Sequence, residues 1–154
     1  MQIYFIALAL GMVAGLRSMT APAAVSWAAY LGWIKLEGTW FAFFGFRFTP
    51  YILTFMAVGE LIGDKLSFTP SRKAIFPFLG RLGSGTLCGA AIATPFGSWL
   101  LGGITGAVGA VIGTLGGFEL RTKLAKAANG RDLPIALIED LIAVLAACFL
   151  VSRI

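Results

Sequence analysis

The chain has 154 residues, of which 58% are hydrophobic and only 12% charged, with a mean hydropathy of +0.90. A soluble domain carries about 25% charge, so a surface this poor in charge would not stay dissolved, and an integral membrane protein made as one unit over residues 1–154 is expected. The absence of His excludes a Ser-His-Asp triad, a His-ligated metal and an imidazole pH switch. Two Cys, 60 residues apart, make neither a thiolate cluster nor a disulfide framework, so no cofactor and no catalytic set is expected.

Helical spans need about 20 mostly apolar residues. The first apolar stretch runs from Ile3 to about Ile34 and is interrupted at Arg17. Within it, Gly15-Leu16-Arg17-Ser18-Met19-Thr20-Ala21-Pro22 has the composition of a break. Ser18 or Thr20 would cap a new helix with Pro22 in its first turn. That reading predicts helices over 3–15 and 20–33 and six segments in all. The other is one long tilted helix with a proline kink, and five segments. No basic region precedes the apolar run, so the stretch reads as retained rather than as a cleaved signal peptide.

The second span runs from about Pro50 to Phe68 and carries Glu60, Asp64 and Lys65. The third runs from about Phe76 to Thr94 and the fourth from about Ser98 to Leu120. Between Arg81 and Glu119 lie 37 uncharged residues, with the turn signal Thr94-Pro95-Phe96-Gly97 near their middle, so these two spans read as a helical hairpin. The fifth runs from about Leu133 to Val151 and carries Glu139 and Asp140.

Most bases fall in two loops. One holds Arg72, Lys73 and Arg81, the other Arg121, Lys123, Lys126 and Arg131. A complete hairpin puts both on one side, which the positive-inside rule makes cytoplasmic. The expected location is thus a bacterial inner membrane, crossed several times and in contact with its lipids. Trp27, Tyr30, Trp33 and Trp40 would form an aromatic belt at the outer boundary, or serve as ordinary packing. The net charge of +5 is accounted for by these loops, so no nucleic-acid partner is expected. Thr69-Pro70-Ser71-Arg72 reads as a helix start beside a basic cluster, either a plain capped loop or a phosphate or lipid-headgroup site.

Gly102, Gly106, Gly109, Gly113 and Gly116 recur at spacings of 4, 3, 4 and 3, along one helix face. Such a face lets another backbone approach closely, and in a bilayer packing drives helix association. Gly83, Gly85 and Gly89 are the natural internal partner. A second copy is the competing one, and a homo-oligomer, dimer or trimer, is expected. A glycine-lined pore is a third reading.

A charge at the centre of a span costs about 2.5–3.5 kcal/mol on insertion scales, so Arg17, Glu60, Asp64, Glu139 and Asp140 require explanation. Glu60 and Asp64 are four apart and share a helix face, whereas Glu139 and Asp140 point about 100° apart. Lys65 points elsewhere. One reading is an ion-pair set, Arg17 with one acid and Lys65 or Arg81 snorkelling to an interface. The other is a mid-depth site for a small solute or ion, since one pairing leaves surplus carboxylates. Glu60, Asp64 and Asp140 are the metal-ligand candidates, with hard oxygen donors suited to alkali or divalent cations.

A faint internal repeat extends that site. Ser18-Met19-Thr20 and Ala23-Ala24 match Ser84-Gly85-Thr86 and Ala90-Ala91, and Leu61-Ile62-Gly63-Asp64 matches Leu137-Ile138-Glu139-Asp140. If it is a repeat, it brings Ser18, Thr20, Ser84 and Thr86 near Asp64 and Asp140, in two inverted three-helix halves, 1–68 and 75–154. The fold class expected is therefore all-α, a transmembrane bundle of five to six segments with broken helices.

The Gly15–Ala23 segment, Gly59-Glu60-Leu61-Ile62-Gly63-Asp64-Lys65-Leu66, Thr69-Pro70-Ser71-Arg72 and Leu133-Pro134-Ile135-Ala136-Leu137-Ile138-Glu139-Asp140 together resemble an uncharacterised bacterial membrane family, domain of unknown function 4126. The resemblance spans nearly the whole chain. It implies a polytopic inner-membrane protein and no assigned activity. A lesser likeness is to small cation transporters with a Glu-x-Gly-Asp-Lys motif, from which this chain departs by one extra residue between Glu60 and Asp64. The expected function is movement of a small solute, a cation or a proton-coupled substrate. Arg17 would supply the counter-charge and Ser18, Thr20, Ser84 and Thr86 neutral ligands. The alternatives are a lipid- or phosphate-handling protein using Arg17, Arg72, Lys73 and Arg81, and a non-transporting packing or assembly module.

Overall fold

The computed structural model describes residues 1–65 and 75–154, and these are helical, with no strand among them. Six α-helices follow in order: α1 Gln2–Leu16, α2 Thr20–Tyr30, α3 Thr49–Gly63, α4 Ile75–Ala93, α5 Trp99–Ala127 and α6 Asp132–Val151. Short 3-10 turns lie at Ala42–Gly45 and Thr94–Phe96. The all-α expectation holds. Three helices, α4 with its following turn, α5 and α6, are long and apolar enough to cross a membrane, which marks a membrane protein. α1 and α3 are apolar but have 15 residues each, about 22 Å at 1.5 Å per residue.

The first stretch is two helices rather than one. Arg17 takes an extended conformation, φ −140° and ψ 110°, and α2 starts three residues later. Neither Ser18 nor Thr20 caps α2, whose N-cap is Met19 with no cap from its own side chain. α2 ends at Tyr30, short of the expected 33. Gly32 adopts φ +78° and lets the Trp33 N–H turn back to the Ala28 carbonyl at 2.9 Å. The hairpin of α4 and α5 closes where expected, with Gly97 left-handed at φ +69°.

The core is built where backbones touch. α5 runs parallel to α1: Gly109 backs onto Leu8, Gly106 onto Gly11, and Gly113 onto Met12. It runs antiparallel to α4: Gly106 meets Gly85, and Gly102 meets Gly89 and Ala93. All three helices converge at Gly11, Gly85 and Gly106. A Cβ on Gly85 would stand 2.7 Å from the Ala110 Cβ, 2.9 Å from the Gly106 oxygen and 3.4 Å from the Gly11 Cα. Most of the glycine stripe is thus used inside the chain. Gly85 and Gly89 are partners as expected, and Gly11 and Gly15 of α1 are further ones. Gly83 and Gly116 have open space beside them. Thr114 Oγ1, buried in this seam, donates to the Gly15 carbonyl at 3.2 Å.

The other helices pack from the sides. α6 buries Ala136, Asp140, Ala143, Ala147 and Val151, a single face. α3 buries only Pro50 and Ala57 and leans on α2, where Trp27 Nε1 donates to Thr54 Oγ1 at 3.0 Å and the Trp27 and Tyr51 rings meet edge-on. Thr39, Trp40 and Phe41 share a cleft with Thr94 and Trp99, and Met1 shares one with Phe96, Arg153 and Ile154. The start of α1, the α4–α5 turn and the end of α6 therefore lie at one end of the bundle. The break at 17–19 lies toward the other, beside Asp140.

Candidate functional site

The break between α1 and α2 exposes backbone donors and places Arg17 inside the protein, with no solvent exposure. Its guanidinium meets carboxylates from two other helices. One amino group pairs with Asp64 at the end of α3, the other with Asp140 of α6. Lys65 Nζ also reaches Asp140 Oδ2, at 2.9 Å, and bonds the Leu61 carbonyl at 3.1 Å. Both Glu60 oxygens are engaged: Oε1 accepts the Ser18 N–H and Oε2 the Met19 N–H, each at 2.8 Å. A carboxylate from α3 thus caps α2 from outside. This satisfies orphan donors at a helix N-terminus and meets its partial charge of about +0.5.

The cluster gathers three carboxylates and two cations, drawn from the break, α3 and α6. A full guanidinium is an efficient partner here. Its planar fork engages two carboxylates at once, which a point charge does less well. Breaking one arm would leave an uncompensated buried charge at a cost of about 3–5 kcal/mol.

Several expectations are met. Arg17, Glu60, Asp64 and Asp140 come together, and Glu60 and Asp64 face the same segment. Others need correction. Arg17 pairs with two acids, not one. Lys65 does not snorkel away but bonds Asp140, because it lies past the end of α3, where helical angles no longer apply. Arg81, 4% exposed, is buried inside the protein rather than at an interface, so Arg17 is not alone at depth.

Glu139 turns away from the site and lies 3.7 Å from Arg121. Arg121 Nε also donates to Asp132 Oδ1 at 2.8 Å, forming a separate set where α5 and α6 meet. The 100° offset of adjacent helical residues accounts for the split. An apolar cleft of about 240 Å³ is lined by both these charges with Leu16, Leu120, Ile138 and Ile142.

The neutral residues divide as well. Ser18 contributes its backbone N–H, and Thr20 Oγ1 is buried with no hydrogen-bond partner. Ser84 and Thr86 bond carbonyls of their own helix, Arg81 and Leu82, at 3.1 and 2.7 Å. The Thr86 methyl faces Gly103 of α5, and α4 runs unbroken through both residues. Neither is brought to the Arg17 cluster by a hydrogen bond.

Among the described residues no group of three or more Cys, Asp or Glu side chains is arranged to hold a metal ion. The reason is visible for Glu60, Asp64 and Asp140. Arg17 stands between the two aspartates and Glu60 is committed to α2. In the lipid or phosphate alternative, Arg17 is the residue already paired with both aspartates. The Arg72 and Lys73 of that alternative, with the Thr69-Pro70-Ser71 signal, lie outside the described residues.

The signal that sequence reasoning missed is the capping of α2 by Glu60. The two are 41 and 42 residues apart, and a helix start lacking its own capping bond was the only trace.

The family defined by a domain of unknown function, DUF4126, matches residues 4–152 of this chain. The chain belongs to the DUF4126 family. Three of the motifs that carried the resemblance supply this cluster, since Arg17, Glu60, Asp64 and Asp140 each fall within one of them. No curated protein and no solved structure matches this DUF4126 chain.

Proposed function

We propose that this DUF4126 protein carries a small solute across a bacterial inner membrane in exchange with, or together with, protons, and that the Arg17 cluster is its gate. The observation that supports this reading is a wholly buried arginine at a helix break, holding α3 and α6 through one carboxylate each. The glycine seam already binds α1, α4 and α5, so packing alone does not require so costly a set of charges. Broken helices whose ends meet buried charges are the usual architecture of a transporter site. A proton on Asp64 or Asp140 would remove one arm of Arg17 and loosen α3 or α6, giving a two-state element that protons bias.

The proton-coupled reading is favoured over a bound metal cation. The space between Asp64 and Asp140 is filled by the guanidinium. Helix directions alternate along the chain, so two three-helix halves would be inverted, although α4 has no counterpart of the α1–α2 break. The basic end of α5, with Arg121, Lys123 and Lys126, would face the cytoplasm. A second copy would find Gly59 of α3, where nothing among the described residues lies within 4 Å of an added Cβ.

The test uses liposomes containing the purified chain and a trapped pH-sensitive dye, challenged with small amines, carboxylates, phosphate and metal cations. The expected result is an internal pH change with one solute class, abolished in Asp64→Asn and Asp140→Asn. Proton movement undiminished in both variants, or none with any solute, would overturn the proposal in favour of a packing module.

A further inference from the structure

We infer that the N-terminus of α2 is a cradle for a small carboxylate, and that Glu60 occupies it in the substrate's place. The inference deepens the transport reading and rests on it. Glu60 is bound as a substrate carboxylate would be, two oxygens on two backbone N–H groups at 2.8 Å each. A helix N-terminus favours any anion. What sets this one apart is a further buried donor on either side of it along the chain. Among the described residues Arg17 Nε and Thr20 Oγ1 have no hydrogen-bond partner, and their residues are 0% and 6% exposed. Buried donors are seldom left unsatisfied in native proteins. Two orphans flanking an occupied pair of N–H groups, within four residues of chain, mark a site with capacity to spare. A carboxylate offers about four lone-pair positions, and Glu60 fills two of the donors here.

Glu60 is also placed to leave. It comes from α3, which buries only Pro50 and Ala57 in the bundle. An arriving carboxylate takes the Ser18 and Met19 N–H groups and adds the Thr20 hydroxyl and Arg17 Nε. Glu60, deprived of its donors, takes up a proton from water. The charged groups around it are Arg17 at the break, Asp64 and Lys65 at the end of its own helix, Asp140 on α6, and Arg81 on α4, whose neighbour Gly80 abuts Ser18 Oγ. Substrate and proton then enter together, one negative and one positive charge, which makes the step electroneutral. A carboxylate matches the paired N–H geometry that Glu60 itself uses.

Two measurements on the full chain in detergent test this. In the wild type at pH 5, saturation-transfer NMR should detect acetate bound to the protein. Thr20→Val, which keeps the shape and removes the orphan hydroxyl, should reduce that signal at least tenfold. In Glu60→Ala the cradle stands empty. Formate should raise its melting temperature saturably and by more than chloride or phosphate at equal ionic strength. Acetate transfer equal in wild type and Thr20→Val, or formate no better than chloride on Glu60→Ala, would overturn the cradle. Stabilisation by phosphate above formate would overturn the carboxylate assignment. If Glu60→Ala does not fold, the NMR pair decides alone. Acetate binding without any flux sinks the transport reading only, and flux of another solute without acetate binding sinks the cradle only.

Discussion

Gly83 and Gly85 are two residues apart in α4 and predict opposite outcomes on substitution by alanine. Alanine is favoured over glycine in a helix interior by about 0.5–1 kcal/mol, because the unfolded glycine has more freedom to lose. At Gly83 nothing lies within 4 Å of an added Cβ, so Gly83→Ala should stabilise by that amount. At Gly85 the same methyl would stand 2.7 Å from the Ala110 Cβ and 2.9 Å from the Gly106 oxygen. Two helices would have to separate by several tenths of an ångström, and overpacking of this kind costs about 1–3 kcal/mol. The propensity gain is common to both variants and cancels in their difference. Gly85→Ala should therefore be about 1–3 kcal/mol less stable than Gly83→Ala. Reversible unfolding in mixed micelles, followed by tryptophan fluorescence, measures this. The double variant Gly85→Ala with Ala110→Gly should recover part of the loss, since it removes the nearest of the clashing atoms. Equal stability of the two single variants, or no recovery in the double, would refute the three-helix seam.

Three other outcomes follow from the charged cluster, the seam and the proposed transport. Arg17→Met should destabilise by about 3–5 kcal/mol, by leaving Asp64 and Asp140 buried without their arginine, and adding Asp64→Asn and Asp140→Asn should restore much of it, as denaturant titration of the three proteins would register. Thr114→Val should cost about 1 kcal/mol through the lost bond to the Gly15 carbonyl, seen as a lower midpoint in the same titration. Solute-driven proton movement should vanish in Asp64→Asn and Asp140→Asn in the liposome assay, while Glu139→Gln, which lies beside Arg121 rather than Arg17, should leave it intact.

Local signals carried a large part of the fold. The break at 17–19 was legible because Gly15, Pro22 and a charged residue interrupt an apolar run. The α4–α5 hairpin was legible because 37 uncharged residues are cut by Pro95 and Gly97. The opposite orientation of Glu139 and Asp140 followed from helical geometry alone. What escaped were pairings between distant segments. The glycine pattern showed that the Gly102–Gly116 face packs closely and pointed to α4, but not that α1 shares it, or that Gly116 has open space among the described residues. Lys65 was misplaced because its angle was reckoned as if α3 continued past Gly63.

The amino-acid order by itself therefore determined a membrane-embedded all-α chain, the α1–α2 break and the α4–α5 turn, its close-packing face and the few charges kept out of water. Those properties depend on residues within a turn or two of one another and on the cost of moving charge into an apolar medium. Only the tertiary structure decided which charges meet. That Arg17 holds Asp64 and Asp140 together and that Glu60 closes α2 in place of Ser18 or Thr20 both depend on helices separated by 40 or more residues. A buried charge must find a partner, but composition does not say which, because the choice rests on how helices distant in the chain pack together.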